Sequence, residues 1–203
     1  MTQDPFIYHI THVDNLASIV VEGGLWCDAQ RIARGLACTN IGIRRIKNRR
    51  LTRAVPTGSG GCLGDYVPFN FCPRSVMLYV VDRGHDDFGG GQTEIVHLVS
   101  RVSTAVGLGR GWAFTDRHAE LAHALYFDDL ASLAQVPWHV MDETYWSNVR
   151  EERQAEFLVR DFFPWTAVGW IGVHTPATEA KVQQLLRGAS HSPAVAVMRK
   201  WYY

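Results

Sequence analysis

Arg153-Gln154-Ala155-Glu156-Phe157-Leu158-Val159-Arg160 is the stretch on which the reading of this chain turns. From Glu156 to Arg160 it has the length and the apolar, partly β-branched centre of a strand. Residues two apart on a strand face the same way, so Gln154 and Glu156 are expected to project together. A carboxylate beside an amide suits a sugar: the acid accepts a hydrogen bond from a ribose hydroxyl while the amide reads a neighbouring group. In isolation a Q-x-E pair is more often a solvated strand edge.

Outward from it, Phe6-Ile7-Tyr8-His9-Ile10 reads as another strand. Thr11 then has the place of a helix N-cap, with Asp14 three residues on and Leu16, Ile19 and Val20 as the apolar stripe. Gly23-Gly24 stops that helix. His9 and Thr11 therefore stand at a strand-to-helix junction, where free backbone N–H groups can meet a ligand. The alternative is a capping Thr11 and a satisfied core His9, and the capping and binding roles of Thr11 compete.

Further strands are expected at Val76–Val81, Glu94–Ser100, Val168–Val173 and Ala194–Met198. Arg117 to Leu133 is expected to be helical. Gly89-Gly90-Gly91 lacks a phosphate-loop lysine and reads as a flexible hairpin. The best-signed helix starts at Thr175-Pro176, buries Val182, Leu185 and Leu186, and ends at Gly188. The sum is a mixed α+β domain without repeats or a dividing linker, residues 1–203 forming one domain.

The 203 residues are 47% hydrophobic and 20% charged with zero formal net charge, a globular composition. Any nucleic-acid role must come from local charge. The strongest local asymmetry is Arg44, Arg45, Lys47, Arg49, Arg50 and Arg53, either a solvated helix face or a cradle for phosphates. Tyr66, Phe69 and Phe71 follow as candidate stacking groups. Asp65–Phe71 suits a pocket wall or a packed edge strand, and in Phe114–His118 Asp116 suits a helix cap. Cys27, Cys38, Cys62 and Cys72 show no CxxC pairing, so neither zinc nor a disulfide framework is expected. With no signal-peptide pattern and no membrane-spanning run, the expectation is a cytoplasmic protein.

Several of these segments, in order, resemble the DarT family of DNA ADP-ribosyltransferase toxins. They are Tyr8-His9-Ile10-Thr11-His12 with Asp14-Asn15-Leu16, Arg49-Arg50 with Val55-Pro56, and Gly60-Gly61. Asp65-Tyr66-Val67-Pro68-Phe69 follows, then Pro73-Arg74-Ser75 with Met77-Leu78-Tyr79. Phe114-Thr115-Asp116-Arg117-His118, Arg153-Gln154-Ala155-Glu156 and Trp201-Tyr202-Tyr203 complete the set.

The resemblance implies an ADP-ribosyltransferase fold: a split, mostly antiparallel β core flanked by helices, with an NAD cleft between. It implies transfer of ADP-ribose from NAD, without a metal, to thymidine N3 in single-stranded DNA, with guanine as the alternative base. Glu156 and Arg50 would be the catalytic residues. His9, Ile10, Thr11, Ser18 and Trp26 would join Arg50 in binding NAD. Arg49, Phe71, Met77, His118 and Gln154 would face DNA, His118 within a loop region from about Gly109 to Glu156. Asn70 departs from the pattern, standing where an aromatic is expected. The implied protein partner is a macrodomain antitoxin, DarG. A non-catalytic nucleic-acid-binding module is the alternative from another class, and transfer to protein or RNA a third reading.

Overall fold

The computed structural model describes residues 4–203. Among the described residues there are ten strands: β1 (Phe6–His12), β2 (Gly24–Trp26), β3 (Tyr66–Asn70), β4 (Ile95–Arg101), β5 (Trp112–Thr115), β6 (Tyr126–Phe127), β7 (Glu156–Arg160), β8 (Phe162–Pro164), β9 (Trp170–Val173) and β10 (Ala194–Val197). The helices are α1 (Leu16–Val21), α2 (Asp28–Ala33), α3 (Arg44–Arg50), α4 (Val76–Arg83), α5 (Val102–Gly107), α6 (Trp138–Met141) and α7 (Pro176–Leu185). Eight strands form one sheet in the order β10-β9-β4-β1-β3-β7-β5-β6, antiparallel except for β9–β10, while β2 and β8 pair separately. This is the expected α+β architecture.

The sheet is split in its middle. β1 runs along the whole of β4, but it meets β3 only at Tyr8↔Asn70. Across the gap His9 Nδ1 lies 2.8 Å from the Pro68 carbonyl. That carbonyl faces the split, and the N–H and C=O of one strand residue point to the same edge. Proline's missing N–H thus falls where no ladder continues, so β3 carries Pro68 inside the sheet and is not an edge strand. On its other side β3 pairs fully with β7, which sets Asn70 opposite Glu156.

Five local readings change. Val76–Arg83 is helix, not strand: Ser75 Oγ accepts the Leu78 N–H at 3.1 Å as an N-cap, and Val76, Leu78 and Val81 are buried. Six apolar residues carry no periodicity that separates the two states, and the serine before them was the discriminating signal. The glycine run after this helix is consequently no strand hairpin; Gly91 N–H returns to the Asp82 carbonyl at 3.0 Å.

Of the span Arg117–Leu133 only the end is helical: Leu130–Gln135 forms a 3₁₀ helix capped by Asp129, and 117–127 is not helix. Asp116 does not cap a helix but accepts the Leu125 N–H at 2.9 Å, and the Tyr126 hydroxyl bonds the Ala119 carbonyl. Side chains supply what a helical ladder would have supplied. Finally, β1 extends through Thr11, so the cap passes to His12, whose Nδ1 accepts the Asp14 N–H at 3.3 Å.

The stop signal after α1 and the cap of α7 hold, whereas Tyr66 and Phe69, each 1% exposed, are core and not stacking groups. Gly23 (φ 74°) ends α1, and a Cβ on Gly24 would lie 2.2 Å from the Phe163 carbonyl oxygen across the β2–β8 pair. Thr175 caps α7, its hydroxyl accepting from Thr178 N–H at 3.1 Å. The Tyr203 hydroxyl bonds the Arg74 carbonyl at 2.9 Å and the Tyr202 hydroxyl the Ile95 carbonyl at 2.8 Å, tying the last residues to the starts of α4 and β4.

Candidate active site

Glu156 opens β7 on the wall of a cleft of about 320 Å³ that follows the split in the sheet. It is only 7% exposed. Arg50, the last residue of α3, meets it with both arms: Nη1–Oε1 is 2.9 Å and Nη2–Oε2 is 2.8 Å. Ala119 N–H adds a bond to Oε1 at 3.3 Å. Behind the carboxylate, Glu156 N–H is held at 3.1 Å by Thr115 Oγ1, which itself donates to the Arg117 carbonyl. Both the backbone and the side chain of Glu156 are fixed.

Burial alone would push the Glu156 carboxyl up, but the Arg50 charge and hydrogen bonds, with the Ala119 amide, hold it below the ordinary carboxylate range. Burial likewise opposes the charge on Arg50, and Glu156 outweighs it. An ionised carboxylate has about four lone-pair positions, of which these bonds use three, leaving one on Oε2 for a ligand hydroxyl.

Five of the six basic residues from Arg44 to Arg53 are engaged, Arg45 being exposed and without a protein partner among the described residues. Arg44, Lys47 and Arg49 face Asp87, Asp28 and Glu120, with N–O distances of 3.3, 3.0 and 2.7 Å. Arg53 donates to the Leu121 carbonyl at 3.1 Å. Arg49 and Arg53 tie the end of α3 to the 119–121 turn. Neither a wholly solvated helix face nor an open phosphate cradle describes it.

Across the cleft stand His9, Ile10 and Thr11 on β1, Ser18 on α1 and Trp26 on β2. A carbonyl only accepts, so His9 Nδ1 carries the proton toward Pro68 and Nε2 is left as an acceptor. Thr11 Oγ1 accepts from Asn15 Nδ2 at 3.0 Å. Asn15 also clasps Thr39, accepting its N–H at 2.7 Å and donating to its carbonyl at 3.0 Å. Asn15 thereby ties the 36–43 loop to the site, a role the sequence reading missed although an amide next to the capping segment was the available sign. Trp26 has Arg34 over its ring at 3.6 Å and Phe162 at 4.3 Å, so its indole is braced from two sides.

Of the residues expected to face DNA, Met77, His118 and Gln154 line the cleft. Gln154 does so from a 3₁₀ turn and not from the strand, so the shared-face argument for Gln154 and Glu156 fails although both reach the site. Arg49 lies outside the cleft lining, paired with Glu120. Phe71 is 5% exposed and packs on Phe114, Trp138 and Phe157, which makes it core and not a stacking platform. Phe71→Ala is expected to cost about 3–5 kcal/mol in urea unfolding, with oligonucleotide affinity unchanged under conditions where the variant stays folded. Among the described residues no group of His, Cys, Asp and Glu is placed to hold a metal ion, and no helix is long and apolar enough to cross a membrane.

Comparison with known proteins adds to this geometry. The sequence model of a family described as "ssDNA thymidine ADP-ribosyltransferase, DarT" matches residues 8–203. A DNA ADP-ribosyl transferase of Thermus aquaticus is 43% identical over 199 residues, covering 97% of this chain and 88% of the relative. Among solved structures, Thermus sp. 2.9 DarT in complex with ADP-ribosylated ssDNA superposes with a TM-score of 0.91 at 38% identity over 100% of both chains. The same protein in complex with NAD+ gives 0.88 at 38% identity over 99% of this chain and 98% of that one.

Proposed function

This chain belongs to the DarT family of single-stranded-DNA thymidine ADP-ribosyltransferases, and from that premise we propose that Glu156 and Arg50 carry out transfer of ADP-ribose from NAD to thymine N3. The observation that carries the assignment is the buried two-armed Arg50–Glu156 pair opening on the cleft. A basic groove that only stacked bases would need free cations and exposed rings. Here most of the segment's cations face carboxylates, and Phe71 is core.

The cleft suits NAD as substrate. Its volume lies within the usual range for small-molecule sites, and polar groups stand at both ends: the His9, Thr11 and Ser18 side, and the Glu156 wall. The open lone pair on Glu156 Oε2 takes a hydroxyl of the nicotinamide ribose. The ionised carboxylate then steadies the cation that develops as the glycosidic bond lengthens, an electrostatic role and not covalent attack. Arg50 fixes that carboxylate. Its guanidinium has no lone pair to offer a proton, so it serves as a charge toward the acceptor base and never as a base itself. Ser18, Trp26 and Ile10 complete the NAD side, and Met77 and Gln154 the DNA side.

Thymine N3 is occupied by pairing in a duplex. A single strand avoids the cost, about a few kcal/mol, of extruding the base. The protein partner that membership suggests is the macrodomain antitoxin DarG, acting on the modified DNA.

Incubation with NAD and a single-stranded oligonucleotide containing thymine should add one ADP-ribose, read by mass spectrometry. Modification of guanine but of no thymine oligonucleotide would overturn the base assignment. Modification of protein or RNA alone would overturn the acceptor.

A further inference from the structure

Thymine N3 bears a hydrogen that must leave as the new bond forms, and the groups around the cleft divide sharply in their ability to accept it. Glu156 is held ionised with most of its lone pairs engaged. Arg50 has none. His85 is bonded through both nitrogens, to the Ile41 carbonyl at 3.1 Å and the Asp87 amide at 3.3 Å. Asp28 is shared between Arg31 and Lys47. His9 stands on β1, across the split from β7.

His118 differs from all of these. Its backbone is fixed, N–H to the Glu151 carbonyl and C=O to the Leu121 N–H, both at 3.0 Å. The next residue, Ala119, places its amide on Glu156 Oε1. The ring lines the same cleft as Glu156 and Arg50. His9, His97 and His191 each set a ring nitrogen on a backbone carbonyl, whereas the His118 ring has no protein partner among the described residues. An imidazole fixed at its backbone, unbonded at its ring and one residue from the amide that orients the catalytic carboxylate is placed to exchange a proton with substrate.

On the transferase reading above, we propose that His118 is the general base that accepts the N3 proton of thymine. The N3–H bond breaks as a ring nitrogen of His118 takes the proton. The N3 electron pair forms the bond to ribose C1″, and the C1″–nicotinamide bond breaks with its pair leaving on neutral nicotinamide. The imidazolium then returns its proton to water. Arg50 stabilises the anionic character that appears on the base.

The charge environment keeps the ring in the form this step needs. Burial lowers the His118 value below the ordinary 6.5, opposed by the Glu156 and Glu120 charges and reinforced by those of Arg50 and Arg49. Its lone pair is therefore available at neutral pH, and the rate should hold as pH falls until the ring protonates, below 6.5.

The test compares the wild type with His118→Gln and His118→Ala in single-turnover transfer to two oligonucleotides, one with thymine and one with a 5-halogenated uracil, whose N3–H is more acidic. His118→Gln should lose about 10²–10⁴-fold on thymine, the usual weight of a general base, and clearly less on the halogenated base. The acid limb of the wild-type pH profile should disappear in the variant. Added imidazole should restore part of the His118→Ala rate, a result that a packing or positioning role would not give. An unchanged His118→Gln rate overturns the proposal, as does an equal loss on both bases without imidazole rescue. If the wild type modifies neither base, the transferase reading itself falls and His118 with it.

Discussion

Glu156→Gln is expected to lower single-turnover transfer by about 10³-fold or more, beyond the loss seen for one neutral oxyanion-type donor because a full charge disappears. Glutamine retains the shape and one oxygen acceptor, so NAD should still bind and the defect should lie in the chemical step. The same change strands Arg50. A buried guanidinium with no counter-charge costs about 3–5 kcal/mol, visible as a lower urea midpoint at pH 7.

The pH dependence of that penalty has a definite sign. Glu156 titrates below its ordinary 4.5 in the folded chain, so its contribution to stability is present above that value. It is lost as pH falls through the lowered folded value. The gap between wild type and Glu156→Gln should therefore be full at neutral pH and close on acidification, because a protonated glutamate resembles glutamine. A gap that stays constant down to about pH 3, below the usual range for a free carboxyl, would mean the pair is not what stabilises the fold there.

What the sequence revealed and what it hid follow from the range of the interactions. The strand beginning at Phe6, the strand at Glu156 and the helix capped by Thr175 are marked by residues adjacent in sequence, and each is present. The Arg50–Glu156 pair joins residues 106 positions apart, and nothing local distinguishes Arg50 from Arg49 or Arg53. The basic run could be counted but not assigned its carboxylates. Phe71 failed for a related reason: aromatic side chains at a strand end suit a core and a stacking surface alike, and only Phe114 and Phe157, brought in by β5 and β7, decide between them. Residues 117–127 misled because helix-forming composition was overridden by side-chain bonds within the segment, from Asp116 to the Leu125 amide and from Tyr126 to the Ala119 carbonyl. Asn70, the departure from the family pattern, lies opposite Glu156 in the β3–β7 register, with its amide 3.4 Å from the Tyr8 carbonyl. It sits at the one β1–β3 pair in register, next to the His9–Pro68 bond that also crosses the split.

Arg50→Lys should reduce transfer by about 10²-fold while leaving the protein folded, because the charge remains but the planar fork is lost. An ammonium cannot span both oxygens of Glu156 in the two-armed geometry, so the carboxylate loses its fixed orientation. Arg50→Ala goes further: Glu156 is left buried without a cation, and its pKa should rise instead of fall. A double variant separates structure from chemistry. Arg50→Met with Glu156→Gln removes both charges, and apolar or neutral replacement of a buried pair is often no worse than the pair itself. Its urea midpoint should recover much of what either single variant loses, while its transfer rate stays as low as that of Glu156→Gln. Recovery of activity along with stability would show that the pair is scaffolding and that catalysis resides elsewhere in the cleft. Recovery of stability alone would confine the pair's essential work to the reacting atoms.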